Sequence, residues 1–218
     1  MDAKHNAKVA ARMTKRIVKE FQQFHKAKKQ SIKTGDKTLQ QIDAVQINNN
    51  IRHVQLVVRG PPDTPYEGGF YEFRVYMKAT YPTEPPLVTL RTRIFHPNIN
   101  GQGKICLNIL KDDGWSPATS LKNLALSLQN LLADPNIDDP LDVNVTKVFK
   151  EDPELAVKTA KEWNDKYASV DPILRDPEEE EEVLKKKEKK HKHKHKKHSG
   201  DDGHLSKKES KKSQSEGD

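Results

Sequence analysis

The chain has 218 residues, enough for one domain and an appendage or for two small domains, with 39 Lys and Arg against 32 Asp and Glu for a net charge of +7. A single cysteine, Cys106, excludes an internal disulfide and fits a reducing compartment. No run of 18 apolar residues is present to span a membrane, and the charged N-terminus has no apolar stretch of the secretory type. The pI near 9.2 points to an acidic partner, whether nucleic acid, anionic membrane or protein, yet the basic surplus is uneven. Residues 1–34 hold 10 basic and 2 acidic side chains, residues 35–175 hold 16 and 18, and residues 176–218 hold 13 and 12. The excess therefore lies in the first segment.

In chain order, the pattern predicts an amphipathic helix over Lys8–Lys29. Ala10, Met13, Ile17, Phe21 and Phe24 form one apolar stripe, with Lys8, Arg12, Lys15, Lys19 and Lys26 opposite. The basic face is either a solvated surface or a docking surface for an acidic partner, and Thr34-Gly35-Asp36 closes the segment. Leu39–Gln46 and Arg52–Arg59 read as strands joined through Asn48-Asn49-Asn50, followed by strands at Phe70–Met77 and Leu87–Arg93. Four strands with short links predict an antiparallel meander, its inner face covered by the first helix. From Ile94 to Pro117 periodicity fails, and a loop of that length in a compact domain is often functional. A helix follows on Leu121, Leu124, Leu128, Leu131 and Leu132, capped by Ser120 or Thr119. Shorter helices around Asp142–Lys150 and Pro153–Tyr167 close the domain.

The tail begins near Ser169. Asp176-Pro177, five glutamates and then lysines can form a solvated helix that has almost nothing to bury, so disorder is expected. The run Lys185–His198 has three readings: a solvated polyampholyte, a nuclear-import or nucleic-acid patch, and weak metal chelation by His191, His193, His195 and His198. The domain division is 1–168 for the core and 169–218 for the tail.

A cysteine hydrolase needs an imidazole and an orienting group beside its thiol. Outside the tail only His5, His25, His53 and His96 are available, and none has the setting of a catalytic base. The residues around Cys106 nonetheless form a distinctive set. They are His96-Pro97-Asn98, then Gly103-Lys104-Ile105-Cys106-Leu107-Asn108-Ile109-Leu110, then Trp115-Ser116-Pro117. With Gly60–Gly69, Tyr81-Pro82 before Pro85-Pro86, and Asp134–Leu141, this set resembles the ubiquitin-conjugating enzymes over roughly residues 10–168. Several motifs in family order make the resemblance specific.

The resemblance implies an α+β enzyme that carries ubiquitin, or a related modifier of the Nedd8 or SUMO type, as a thioester on Cys106 and passes it to an acceptor lysine. The chain lacks the extended loops associated with the SUMO enzyme. An acyl group that arrives activated needs no base beside the thiol. Aminolysis remains, and a lysine of ordinary pKa is only roughly 0.04% neutral at pH 7. By resemblance Asp139 handles the amine, against a plain reading as a cap in a turn. Asn98 is either an oxyanion donor or a brace for the loop. His96 and Pro97 shape the turn, and Asn108 stands where many members have aspartate. The activating enzyme and a ligase would meet Lys15, Arg16 and Lys19 on the first helix, with Thr83, Pro117 and Ala118 on two loops. Thr83 replaces the phenylalanine of many members and so removes an aromatic anchor. No cofactor or metal is expected in the protein itself, since ATP acts upstream, and the expected setting is cytoplasm or nucleus. A non-catalytic scaffold and a basic nucleic-acid-binding module are the rivals from other classes.

Overall fold

The computed structural model describes residues 3–173 except 36 and 38; the glutamate- and lysine-rich segment from Asp176 and the Lys185–His198 run lie outside the described residues. Helix α1 spans Ala3–Thr34, longer at both ends than the apolar stripe suggests. Met13, Ile17, Phe21 and Phe24 are buried, whereas Ala10 is exposed, so the packed stripe begins at Met13. The basic residues opposite the stripe face solvent. Gly35, with φ of 77°, follows the last helical residue in the left-handed conformation that suits a helix end.

The sheet is a four-stranded antiparallel meander in the order β1-β2-β3-β4, formed by Ile42–Ile47, Asn50–Arg59, Phe70–Tyr76 and Leu87–Leu90. The β1–β2 turn uses only Asn48 and Asn49, with φ of 51° and 53°, so Asn50 already belongs to β2. Positive φ at both turn positions matches the right-handed twist of the flanking strands, which is why asparagine suits them. Three strand predictions shorten, Phe70–Met77 by its last residue alone. Leu39–Gln41 forms a 3-10 turn ahead of β1, and β4 stops at Leu90 rather than Arg93. Beyond Leu90 the Thr92 hydroxyl accepts the Glu72 N–H at 3.0 Å, a side chain taking the place of a main-chain rung.

Leu56, Val58, Tyr71, Phe73, Val75 and Leu90 fill the inner face. α1 covers it jointly with α2, Leu121–Ala133, rather than alone. The reason is composition: α2 buries Leu121, Leu124, Ala125, Leu128, Leu131 and Leu132, more apolar bulk than α1 offers. Ser120 caps α2 by accepting the Asn123 N–H. α3, Val143–Glu151, and α4, Pro153–Tyr167, are capped by Asp142 and Asp152, with Pro153 in the first turn of α4. Asn164 pins α4 to the sheet: it accepts from the Tyr71 hydroxyl at 2.7 Å and donates to the Glu67 carbonyl at 3.1 Å.

Candidate active site

The segment between β4 and α2 is irregular but tightly held. His96, Ile99 and Ile105 pair as a narrow hairpin, closed by Asn100, whose side chain accepts from the Gln102 and Lys104 N–H groups. Gly103 has φ of 78°, and a Cβ there would overlap the Leu90 carbonyl oxygen. The position excludes other residues twice over, by conformation and by space. The Cys106 N–H then donates to the Asn98 carbonyl at 2.9 Å, which fixes the main chain that carries the thiol.

His96 and Asn98 are buried and fully engaged. His96 Nε2 lies 2.9 Å from the Leu131 carbonyl, and Nδ1 accepts the Asn98 N–H at 3.0 Å. That pairing assigns the proton to Nε2, and burial pushes the imidazole down to about 4, so it is neutral near pH 7. Asn98 donates from Nδ2 to the Asn136 carbonyl at 2.7 Å and to the Asp139 carbonyl at 3.1 Å, while its Oδ1 accepts the Asn136 N–H at 2.8 Å. Both amide hydrogens are thus spent on the main chain of the loop after α2. In this geometry Asn98 is a brace, with no free hydrogen for an oxyanion. The Pro97 carbonyl extends the clamp by accepting the Leu141 and Asp142 N–H groups at 2.9 Å each.

The clamp brings Asp139 to the thiol. Its Oδ2 lies 3.7 Å from Cys106 Sγ and 2.7 Å from Lys111 Nζ. The helix-capping role falls to Asp142 and not to Asp139. Burial pushes the Cys106 thiol up, Asp139 adds to the rise, and Lys111 opposes it. Lys111 in turn holds the Asp139 carboxyl below its ordinary value, and the carboxylate raises Lys111. The thiol is therefore half-buried beside an ionised, ion-paired carboxylate. Asn108 opens a short 3-10 turn, Asn108–Leu110, with an exposed side chain. Among the described residues no group of three or more His, Cys, Asp or Glu is arranged to hold a metal ion.

Among the described residues the arrangement is a thiol with one adjacent carboxylate and no adjacent imidazole, presented on a hydrogen-bonded loop of the meander and helix scaffold. The model of the ubiquitin-conjugating enzyme family matches residues 16–164, more than half of the chain. The chain belongs to the ubiquitin-conjugating enzymes. It is 42% identical over 130 residues to the ubiquitin-conjugating enzyme E2 N of Drosophila melanogaster, covering 60% of this chain and 85% of that protein. It also matches the E2 domain of a Toxoplasma gondii ubiquitin conjugating enzyme at 36% identity. The TM-score is 0.61, with 70% of this chain and 97% of that one covered. The family transfers ubiquitin through a cysteine thioester, which classes this protein as an acyl transferase.

In this conjugating enzyme the residues expected to meet partners converge on a shared support. Lys15, Lys19, Thr83, Pro117 and Ala118 are exposed. Arg16 is partly withdrawn: it pairs with Glu20 and donates to the Pro117 carbonyl at 3.3 Å, linking α1 to the loop before α2. Glu20 is the residue the sequence reading missed. It is buried, and besides Arg16 it accepts from the Tyr81 hydroxyl at 3.1 and 3.0 Å and from the Leu121 N–H at 2.9 Å. Trp115 Nε1 donates to the Pro82 carbonyl at 2.8 Å, tying the second loop to the first. A visible signal existed for Glu20: it sits at i+3 from Ile17, on the apolar stripe. Lys111 was the second omission, and its signal was its position in the same loop as Cys106, five residues further on.

Proposed function

We propose that this enzyme accepts ubiquitin from an activating enzyme as a thioester on Cys106 and passes it to an acceptor lysine of a protein substrate, with a ligase presenting the two. The observation that carries the reading is the Asp139 carboxylate, 3.7 Å from the only cysteine of the chain. In loading, the Cys106 thiol loses its proton and its sulfur attacks the thioester carbonyl carbon on the activating enzyme, whose thiolate leaves. In transfer, the acceptor nitrogen attacks the carbonyl carbon on Cys106, the C–N bond forms, the C–S bond breaks, and the sulfur departs as thiolate. Asp139 orients the acceptor amine and receives its proton, while the clamp of His96, Pro97 and Asn98 holds the carboxylate in reach. Desolvation of the acceptor ammonium must outweigh its attraction to the carboxylate for neutral amine to form.

Ubiquitin is preferred over related modifiers because both named relatives are ubiquitin-conjugating enzymes. Lys15, Arg16 and Lys19 with Thr83, Pro117 and Ala118 form the face for the activating enzyme and ligase. The proposed setting is the cytoplasm, the nucleus or both, the core being residues 1–168 and the tail 169–218, and ATP is consumed upstream.

The test incubates the protein with activating enzyme, ATP and each modifier in turn, followed by non-reducing gels. A thiol-sensitive adduct with ubiquitin, absent in Cys106→Ala, is expected; an adduct with another modifier alone reassigns the substrate, and none at all overturns the reading. Removal of residues 170–218 should leave loading intact, and loss of loading would reject the domain division.

A further inference from the structure

The carboxylate assigned to the acceptor amine is already occupied. Lys111 Nζ sits 2.7 Å from Asp139 Oδ2, the same oxygen that lies 3.7 Å from Cys106 Sγ. The Lys111 main chain is anchored on three sides. Its N–H donates to the Asn108 carbonyl at 3.0 Å, and its carbonyl accepts from Gly114 at 3.1 Å and Trp115 at 2.9 Å. A Cβ on Gly114 would overlap the Asn108 carbonyl oxygen, so the turn folds back tightly on the segment that carries the cysteine. Trp115 is itself fixed through Pro82. The lysine is therefore delivered from a constrained turn, with only its own side chain free to leave.

We propose that Lys111 is a positioning residue that occupies the seat of the acceptor ammonium on Asp139 and so sets a threshold for which amines react. An incoming lysine must displace Lys111 before the carboxylate can orient it. A free amine in solution competes poorly with a tethered one, whereas a lysine held beside the site by a ligase-bound substrate has an effective concentration of about millimolar or more. The lysine in the seat is itself a weak nucleophile, because pairing with Asp139 keeps it protonated. Lys111 thus favours presented acceptors over free ones without touching the thioester.

This inference rests on Cys106 as the acyl carrier, and the experiment separates the two. Enzyme loaded with ubiquitin, its loading then stopped by removing ATP, is mixed with increasing free lysine, and loss of the thioester is followed on non-reducing gels. Failure of the wild type to load counts against the proposed function. Given loading, Lys111→Gln should lower the apparent KM for lysine by about two- to fivefold, the scale of an exposed ion pair, with kcat unchanged. Lys111→Arg, which keeps the pair, should stay near wild type. In an Asp139→Asn background the Lys111→Gln gain should vanish, since the two changes act through one contact. An unchanged KM in Lys111→Gln overturns the proposal. So does an equal gain in the Asp139→Asn background, which would mark a general charge effect, or a ubiquitin isopeptide on Lys111 found by mass spectrometry, which would make it an acceptor.

Discussion

Glu20 offers the sharpest test of how the proposed partner face is built. Its carboxylate is enclosed between α1, the loop after β3 and the start of α2, with donors from Arg16, Tyr81 and Leu121. Alanine at this position strips the partner from two buried donors, the Tyr81 hydroxyl and the Leu121 N–H, each costing about 1–3 kcal/mol when unsatisfied. Arg16 is partly exposed and can return to water, so its share is small. The expected loss for Glu20→Ala is about 3–5 kcal/mol, a large part of a domain stability of about 5–15 kcal/mol. Glu20→Gln keeps the shape and one acceptor oxygen and should lose about 1–2 kcal/mol. Urea unfolding followed by the fluorescence of Trp115 and Trp163 measures both, and the thermal midpoint of Glu20→Ala should fall by roughly 6–20 °C. A loss below about 1 kcal/mol, the scale of a surface pair, would refute the view that this carboxylate is a desolvated junction.

Three further outcomes follow from the site. His96 has its imidazole depressed to about 4 against about 6.5 when unfolded, so its contribution is complete above pH 6.5 and is lost as pH falls towards 4. Urea unfolding at pH 7, 5.5 and 4.5 should show up to about 3 kcal/mol more acid loss in wild type than in His96→Gln, and equal slopes would contradict the assignment. Alkylation of Cys106 by iodoacetamide should have its midpoint above the ordinary thiol value of about 8.5, moving down in Asp139→Asn and up in Lys111→Gln; shifts in the opposite directions would reject the charge assignment. Asn98→Ala should lower stability by about 1–3 kcal/mol because it unties the loop at Asn136 and Asp139. A variant with unchanged stability and lost transfer would instead restore the oxyanion role.

Much of the scaffold was legible because single segments dictate it. The leucine spacing and serine cap of α2 and the proline that opens α4 act within one or two turns, and the structure follows them to within a residue or two. The end of β4 was not legible, because Thr92 displaces a rung only when Glu72 of β3 is alongside. The choice between the two readings of Asn98 depended on carbonyl groups 38 and 41 residues away. The hydrogen-bond partner of Lys111 is not local, since Asp139 reaches it only after the loop behind α2 is clamped against Pro97. Each miss is a contact across the fold rather than along the chain.

Thr83 stands on the turn whose neighbours Tyr81 and Pro82 are held from beneath by Glu20 and Trp115. Its own side chain faces outward, and its N–H is already bonded to the Thr80 carbonyl at 2.8 Å. The position is therefore an interchangeable tip on a fixed mount. On the partner face proposed above, a change at this one codon would alter what is presented, as a drill accepts a new bit, while the chuck that grips it stays unaltered.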